Sequence, residues 1–245
     1  MNRRQILAGT LLLAPVPSAA AQPEPASRMM SFQSGGVPIA VEWFPAAGQR
    51  TGETRPAVLL LHGADGLTFE AGYRMAAQVV AASGFNVAFL HYLDRTGERR
   101  VAYSTLRQRF PLWAETVRDG LSWVAGQPGA DPGRLGIVGI SLGAALGLHV
   151  AAGDGRVKAL VDYFGPVPEG LADGGLRLPP TLILHGENDR VVPVSNARAL
   201  ARLLEASGTP HELQIYPGQG HSLTGLAQLD AASRTAAFLG RYLAG

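Results

Sequence analysis

The chain has 245 residues, 47% of them hydrophobic and 16% charged, which suits one α/β domain with a sizeable core and excludes a disordered chain. Its formal charge of +2 resides in Arg3 and Arg4, the only charged side chains among residues 1–21; the other 19 basic residues balance 19 acidic ones, so no basic stripe marks a nucleic-acid partner. With no cysteine, disulfide frameworks, thiolate metal sites and cysteine nucleophiles are excluded.

The first residues are expected to be an export signal. Arg3-Arg4 supply a positive start, residues 6–16 an apolar stretch too short to span a bilayer, and Ala19-Ala20-Ala21 the small-residue cleavage pattern. Residues 1–21 therefore read as a signal peptide, possessing a loose twin-arginine character, cleaved before Gln22. The expected location is periplasmic or secreted, with no stable membrane anchor after cleavage. The domain then covers residues 22–245 and opens on a Pro-rich tail at 22–27.

Residues 37–44 alternate apolar and polar side chains, the pattern of an outer strand. Residues 45–55 read as a turn, and 57–61 as a strand buried on both faces of a parallel sheet. A helix is predicted at 69–82, stopped by Gly84, then a strand at 86–91. A helix at 109–125 places Trp113, Val117, Leu121 and Val124 on one face. A strand at 135–140, a helix at 142–152 and strands at 157–164 and 181–185 follow. A helix at 193–208, a strand at 212–216 and a helix at 223–242 complete the order. This alternation predicts an α/β fold with a mostly parallel central sheet and helices on both faces. On such sheets functional residues gather at the carboxyl ends of strands.

Gly139-Ile140-Ser141-Leu142-Gly143 matches G-x-S-x-G between a buried strand and a helix, where a strained turn lifts the serine hydroxyl above the sheet. The glycines allow close strand–helix approach, and the helix N-terminus aims amide dipoles at developing negative charge. A serine hydroxyl needs a base, and in this arrangement the acid and then the histidine follow the serine. His221, in Pro217-Gly218-Gln219-Gly220-His221, lies on a loop after the last strand and is the candidate base, ahead of His149, His185 and His211. Asp189, just beyond the strand ending at His185, is the candidate acid; Asp162 and Glu187 are its rivals. The backbone amides of Leu142 and Ala64 are the candidate oxyanion donors, with His62 and Asp65 bracing the second loop. No metal or other cofactor is expected, since neither H-E-x-x-H, a calcium-loop spacing nor G-x-x-x-x-G-K occurs.

Together the His62-Gly63 loop, Gly139-Ile140-Ser141-Leu142-Gly143, Gly186-Glu187-Asn188-Asp189 and Gly220-His221 resemble the dienelactone hydrolase family. The resemblance implies an α/β-hydrolase fold without a cap domain. Family namesakes use a cysteine where this chain has Ser141, and a glutamate where it has Gly63. Of the two arginines that hold the substrate carboxylate in the namesakes, Arg95 matches one; Ser222-Leu223-Thr224-Gly225 offers no second. The resemblance therefore implies a broader carboxylesterase acting on a small-molecule ester or lactone, with Arg95 as a substrate-binding candidate. A peptidase or amidase, and a non-catalytic exported binding protein, are the competing readings.

Overall fold

The computed structural model describes residues 27–171 and 177–244. The expected signal peptide and most of the Pro-rich tail lie outside these residues. Eight strands form one sheet: β1 (Arg28–Ser34), β2 (Val37–Phe44), β3 (Arg55–Leu61), β4 (Asn86–Leu90), β5 (Ala130–Ile140), β6 (Val157–Tyr163), β7 (Thr181–Gly186) and β8 (His211–Tyr216). The helices are α1 (Glu70–Ala82), α2 (Tyr103–Ala125), α3 (Leu142–Ala151), α4 (Ser195–Ala206) and α5 (Gly225–Leu243), with a 3-10 helix at Tyr92–Thr96.

The sheet order is β1-β2-β4-β3-β5-β6-β7-β8. β3 to β8 are parallel, and β1 and β2 add an antiparallel edge. This is the α/β-hydrolase fold. Side chains alternate along the central strands: Ala57, Leu59 and Leu61 of β3 join a core cluster under α2, α3 and α4, while Val58 and Leu60 join one under α1 and α5. Both faces are thus covered, and each fully buried Val or Leu contributes about 1.5–3 kcal/mol. The predicted face of α2 is as expected: Trp113, Val117, Leu121 and Val124 are all buried. The β6–β7 connection, residues 164–180, is too short for a cap domain.

Three local readings change. The edge is occupied by β1, not β2, through a tight hairpin in which Ser34 pairs with Val37 across Gly35-Gly36. Both glycines have positive φ (52° and 79°), as such a turn requires. α2 begins six residues before the predicted 109 and runs through Pro111, its cost offset by the packing of the buried face below it. β5 begins at Ala130 rather than 135, because Ala130 pairs with Arg55 across a register shift that Pro132-Gly133 conceals in the sequence.

Candidate active site

β5 ends at Ile140 and α3 begins at Leu142, so Ser141 is the single-residue joint between them. Its backbone sits at φ 53°, ψ −115°, a region L-residues avoid. The joint is held by the Ser141 N–H, which donates to the Tyr163 carbonyl at 2.7 Å. Glycine is required on both sides. A Cβ at Gly139 would lie 2.5 Å from the Ala144 Cα, and one at Gly143 only 2.4 Å from the Leu61 carbonyl.

The His221 loop reaches this joint by packing directly on the end of β7. A Cβ at Gly186 would fall 2.1 Å from the Gly220 carbonyl, and the Asn188 amide donates to the Gln219 carbonyl at 2.8 Å. The Gln219 side chain accepts the Thr224 amide at 2.9 Å and closes the loop. His221 Nε2 then lies 2.9 Å from Ser141 Oγ, and its Nδ1 lies 2.7 Å from Asp189 Oδ2. With that carboxylate as acceptor, Nδ1 donates, and Nε2 is left to accept from the serine hydroxyl. Asp189 is buried, and its Oδ1 accepts the amides of Val191 (2.8 Å) and Val192 (2.9 Å), which fixes the carboxylate plane.

Two backbone amides lie near Ser141 in the fold. Leu142 supplies the first amide of α3, which has no intrahelical acceptor. Ala64 follows Gly63, whose Cβ position would lie 3.5 Å from the Ser141 Cβ; among the described residues the Ala64 amide donates to no protein acceptor. Tyr73 braces this loop, accepting the Gly63 amide at 3.1 Å and donating to Asp65 Oδ1 at 2.6 Å. The Tyr73 hydroxyl is pushed up, chiefly by burial and then by the Asp65 hydrogen bond, so it stays a donor. The next residue, Arg74, makes a bidentate pair with the buried Glu42 on β2 at 2.8 and 2.9 Å, tying α1 to the sheet. His62 stacks on Tyr92 at 4.2 Å, and burial pushes its pKa down to about 4, so it stays neutral. His62 and Asp65 brace the loop as expected.

The structure thus brings Ser141, His221 and Asp189 together, with Leu142 next in the chain and Gly63 close to the serine. It does not bring Arg95. That guanidinium donates to the Gly35 carbonyl at the β1–β2 turn and pairs with Glu115, both at 3.2 Å. β4 and β3 stand between β2 and β5, so roughly 14 Å of sheet separates that edge from the serine. Arg95 is corrected from substrate binding to an edge brace. Glu187 is exposed, and His149 and His211 lie on α3 and β8 away from the serine.

Three neighbours take roles that the sequence does not assign them. His185 is fully buried; its Nε2 donates to the Val192 carbonyl at 2.8 Å and lies 3.3 Å from Asp189 Oδ2. Burial lowers its pKa, so it stays neutral and supports the acid loop as a hydrogen-bond donor rather than as an ion. Tyr73 and Phe164 are the others, and only long-range packing places them.

Asp162 is also buried. Its Oδ1 accepts the Gly165 amide at 2.7 Å, while Oδ2 has no partner. Burial pushes its carboxyl up to about 7 from 3.8. The folded chain therefore holds a proton there that the unfolded chain releases between these values. The resulting stability is complete below pH 3.8 and lost as pH rises through about 7. Asp162→Asn is expected to remove that slope, so its stability relative to wild type rises by a few kcal/mol from acid to pH 8. Denaturant midpoints at the two pH values check this; an unchanged difference would refute it.

A serine on a strained strand–helix joint, bonded to a histidine and a buried carboxylate on this sheet, defines an α/β hydrolase. The dienelactone hydrolase family profile matches residues 44–238, and the chain belongs to that family of hydrolases. An uncharacterized protein of Mycobacterium tuberculosis is 27% identical over 252 aligned residues, covering 90% of this chain and 82% of its own. A dienelactone hydrolase-like promiscuous phosphotriesterase from metagenomic libraries superposes with TM-score 0.75 at 19% identity, covering 89% and 98% of the two chains. A puromycin-hydrolyzing peptidase of M. tuberculosis gives TM-score 0.70 at 22% identity over 92% of this chain and 41% of its own. These structures share the fold.

Proposed function

We propose that this protein is an exported serine hydrolase that cleaves small to medium carboxylic esters or lactones through an acyl-enzyme on Ser141. The observation that carries the reading is the continuous hydrogen-bonded chain Ser141–His221–Asp189, at 2.9 and 2.7 Å, on a joint held at positive φ. Ser141 Oγ attacks the carbonyl carbon as His221 Nε2 takes its proton. The oxyanion is held by the amides of Leu142 and Ala64. The tetrahedral intermediate collapses, and His221 returns the proton to the leaving alkoxide. Water then attacks the acyl group by the same route and frees Ser141. Asp189 holds the productive tautomer and stabilises the imidazolium.

The match to a puromycin-hydrolyzing peptidase keeps amide cleavage as the second reading. A panel of chromogenic esters and matched anilides, with fluorophosphonate labelling, tests both. The expected result is labelling and fast ester turnover with much slower anilide turnover. Faster anilide turnover would install the peptidase reading; absence of both labelling and turnover would leave a binding protein.

Export rests on Arg3-Arg4, the apolar residues 6–16 and Ala19-Ala20-Ala21. The native protein is expected outside the cytoplasm with Gln22 as its first residue, as intact mass will read. A full-length chain in the cytosolic fraction would sink this.

A further inference from the structure

Among the described non-glycine residues only two have positive φ, Ser141 at 53° and Phe164 at 59°. The strain at Ser141 belongs to the chemistry above. That at Phe164 does not, and a bulky residue is seldom found there without a reason in its surroundings. Phe164 closes β6, the strand beside the one that ends in the serine. It is buried, and its ring centroid lies 5.5 Å from that of His221 and 6.0 Å from that of His185.

The backbone around it is bolted at three points. The Tyr163 carbonyl accepts the Ser141 amide at 2.7 Å, the Phe164 amide donates to the Leu184 carbonyl at 3.0 Å, and the Gly165 amide donates to Asp162 Oδ1 at 2.7 Å. Gly165 admits no side chain, since a Cβ there would lie 2.6 Å from Asp162 Oδ1 and 2.7 Å from the Ala144 Cβ. After β6 the chain turns sharply at Phe164-Gly165, against Ala144 of α3, and the turn sets the Phe164 ring beside the His221 imidazole. That imidazole rides on a loop, and its side chain is 24% exposed against 0% for Asp189. Its two hydrogen bonds fix the ring at the edge nitrogens and leave its tilt to whatever packs alongside.

We infer that Phe164 is a positioning residue for His221: its ring is the wall that holds the imidazole in line between Ser141 Oγ and Asp189 Oδ2, and Asp162 locks the turn that presents it. This role rests on His221 being the base. It also assigns a task to the buried Asp162 carboxyl, which the reaction does not use. The two rings meet at an interplanar angle of 53°, a tilted aromatic contact; an aliphatic side chain of similar volume fills the space but offers no ring to make it.

The test uses the full mature chain and two readouts. The first is the low-field proton resonance of His221 Nδ1, observed without substrate. The second is the split between kcat and KM on an aryl ester. Phe164→Leu is expected to broaden or lose the resonance and to lower kcat by about 10- to 100-fold, with KM nearly unchanged, as misplacement of a catalytic group does. Phe164→Tyr, which keeps the ring, is expected to restore both. Asp162→Val, which removes the acceptor for Gly165, is expected to behave like Phe164→Leu. If Phe164→Leu does not fold, Phe164→Met is read instead. A folded Phe164→Leu or Phe164→Met that keeps the resonance and full kcat would overturn the inference. The resonance judges the wall independently of turnover. A wild-type chain that shows it, but is neither labelled nor active, removes the proposed function and leaves the Phe164 result standing.

Discussion

Ser141→Ala is expected to abolish ester turnover and fluorophosphonate labelling while leaving the fold intact. In serine hydrolases, loss of the nucleophile alone costs up to about a millionfold in kcat, and the residual rate comes from the oxyanion donors and binding. Here the proposed donors are the backbone amides of Leu142 and Ala64, which the substitution does not touch. The fold should survive because alanine keeps the Cβ, so the strain at φ 53° is unchanged and only the 2.9 Å bond to His221 is lost. Ser141→Gly serves as a companion: it should be as inactive, yet more stable by about 1 kcal/mol, because glycine occupies that region freely. Turnover, labelling and thermal midpoint of the two variants settle the matter. Wild-type turnover in either would falsify Ser141 as nucleophile.

Asp189→Asn is expected to lower kcat by up to about four orders of magnitude with little change in KM. The geometry gives the reason. Oδ1 of Asp189 accepts two amides, from Val191 and Val192, so an asparagine there keeps its carbonyl oxygen on that side and turns its NH2 toward His221. Nδ1 of His221 must then accept, the ring proton moves to Nε2, and Nε2 can no longer take the proton from Ser141. The opposite flip would set the NH2 against two amide donors. Asp162→Asn should retain most of the activity, since its amide oxygen still accepts the Gly165 N–H. Its main effect should be the altered pH dependence of stability. Kinetic parameters for both variants provide the measurement. A dead Asp162→Asn beside an active Asp189→Asn would reverse the assignment of the acid.

The contrast between those two aspartates shows where reading the chain ends. Both lie near the carboxyl ends of adjacent strands and both keep the order serine, acid, histidine; the position just beyond the strand end favours Asp189. What separates them physically is the direction of the carboxylate. Asp189 lies beyond its strand, where the close approach of Gly186 to Gly220 lays the histidine loop over it. Asp162 is still within β6, and its Oδ1 is taken by Gly165. Arg95 makes the same point in reverse. The family resemblance implies a substrate contact for Arg95, but in the fold its guanidinium reaches the Gly35 carbonyl at the β1–β2 turn and Glu115 instead.

The sequence by itself determined the α/β class, the buried parallel strands, the serine on its strand–helix joint, and the order serine, acid, histidine. These rest on local physics: hydrophobic period, the steric need for glycine, and short-range turn chemistry leave their mark within a few residues. Only the tertiary structure decided that β1 forms the sheet edge, that α2 starts at Tyr103 and so carries Pro111 in its interior, and that Tyr73, His185 and Phe164 surround the site while Arg95 does not. Those facts depend on contacts between segments tens of residues apart, where side-chain direction is set by strand order and by packing, and no pattern within either segment encodes them.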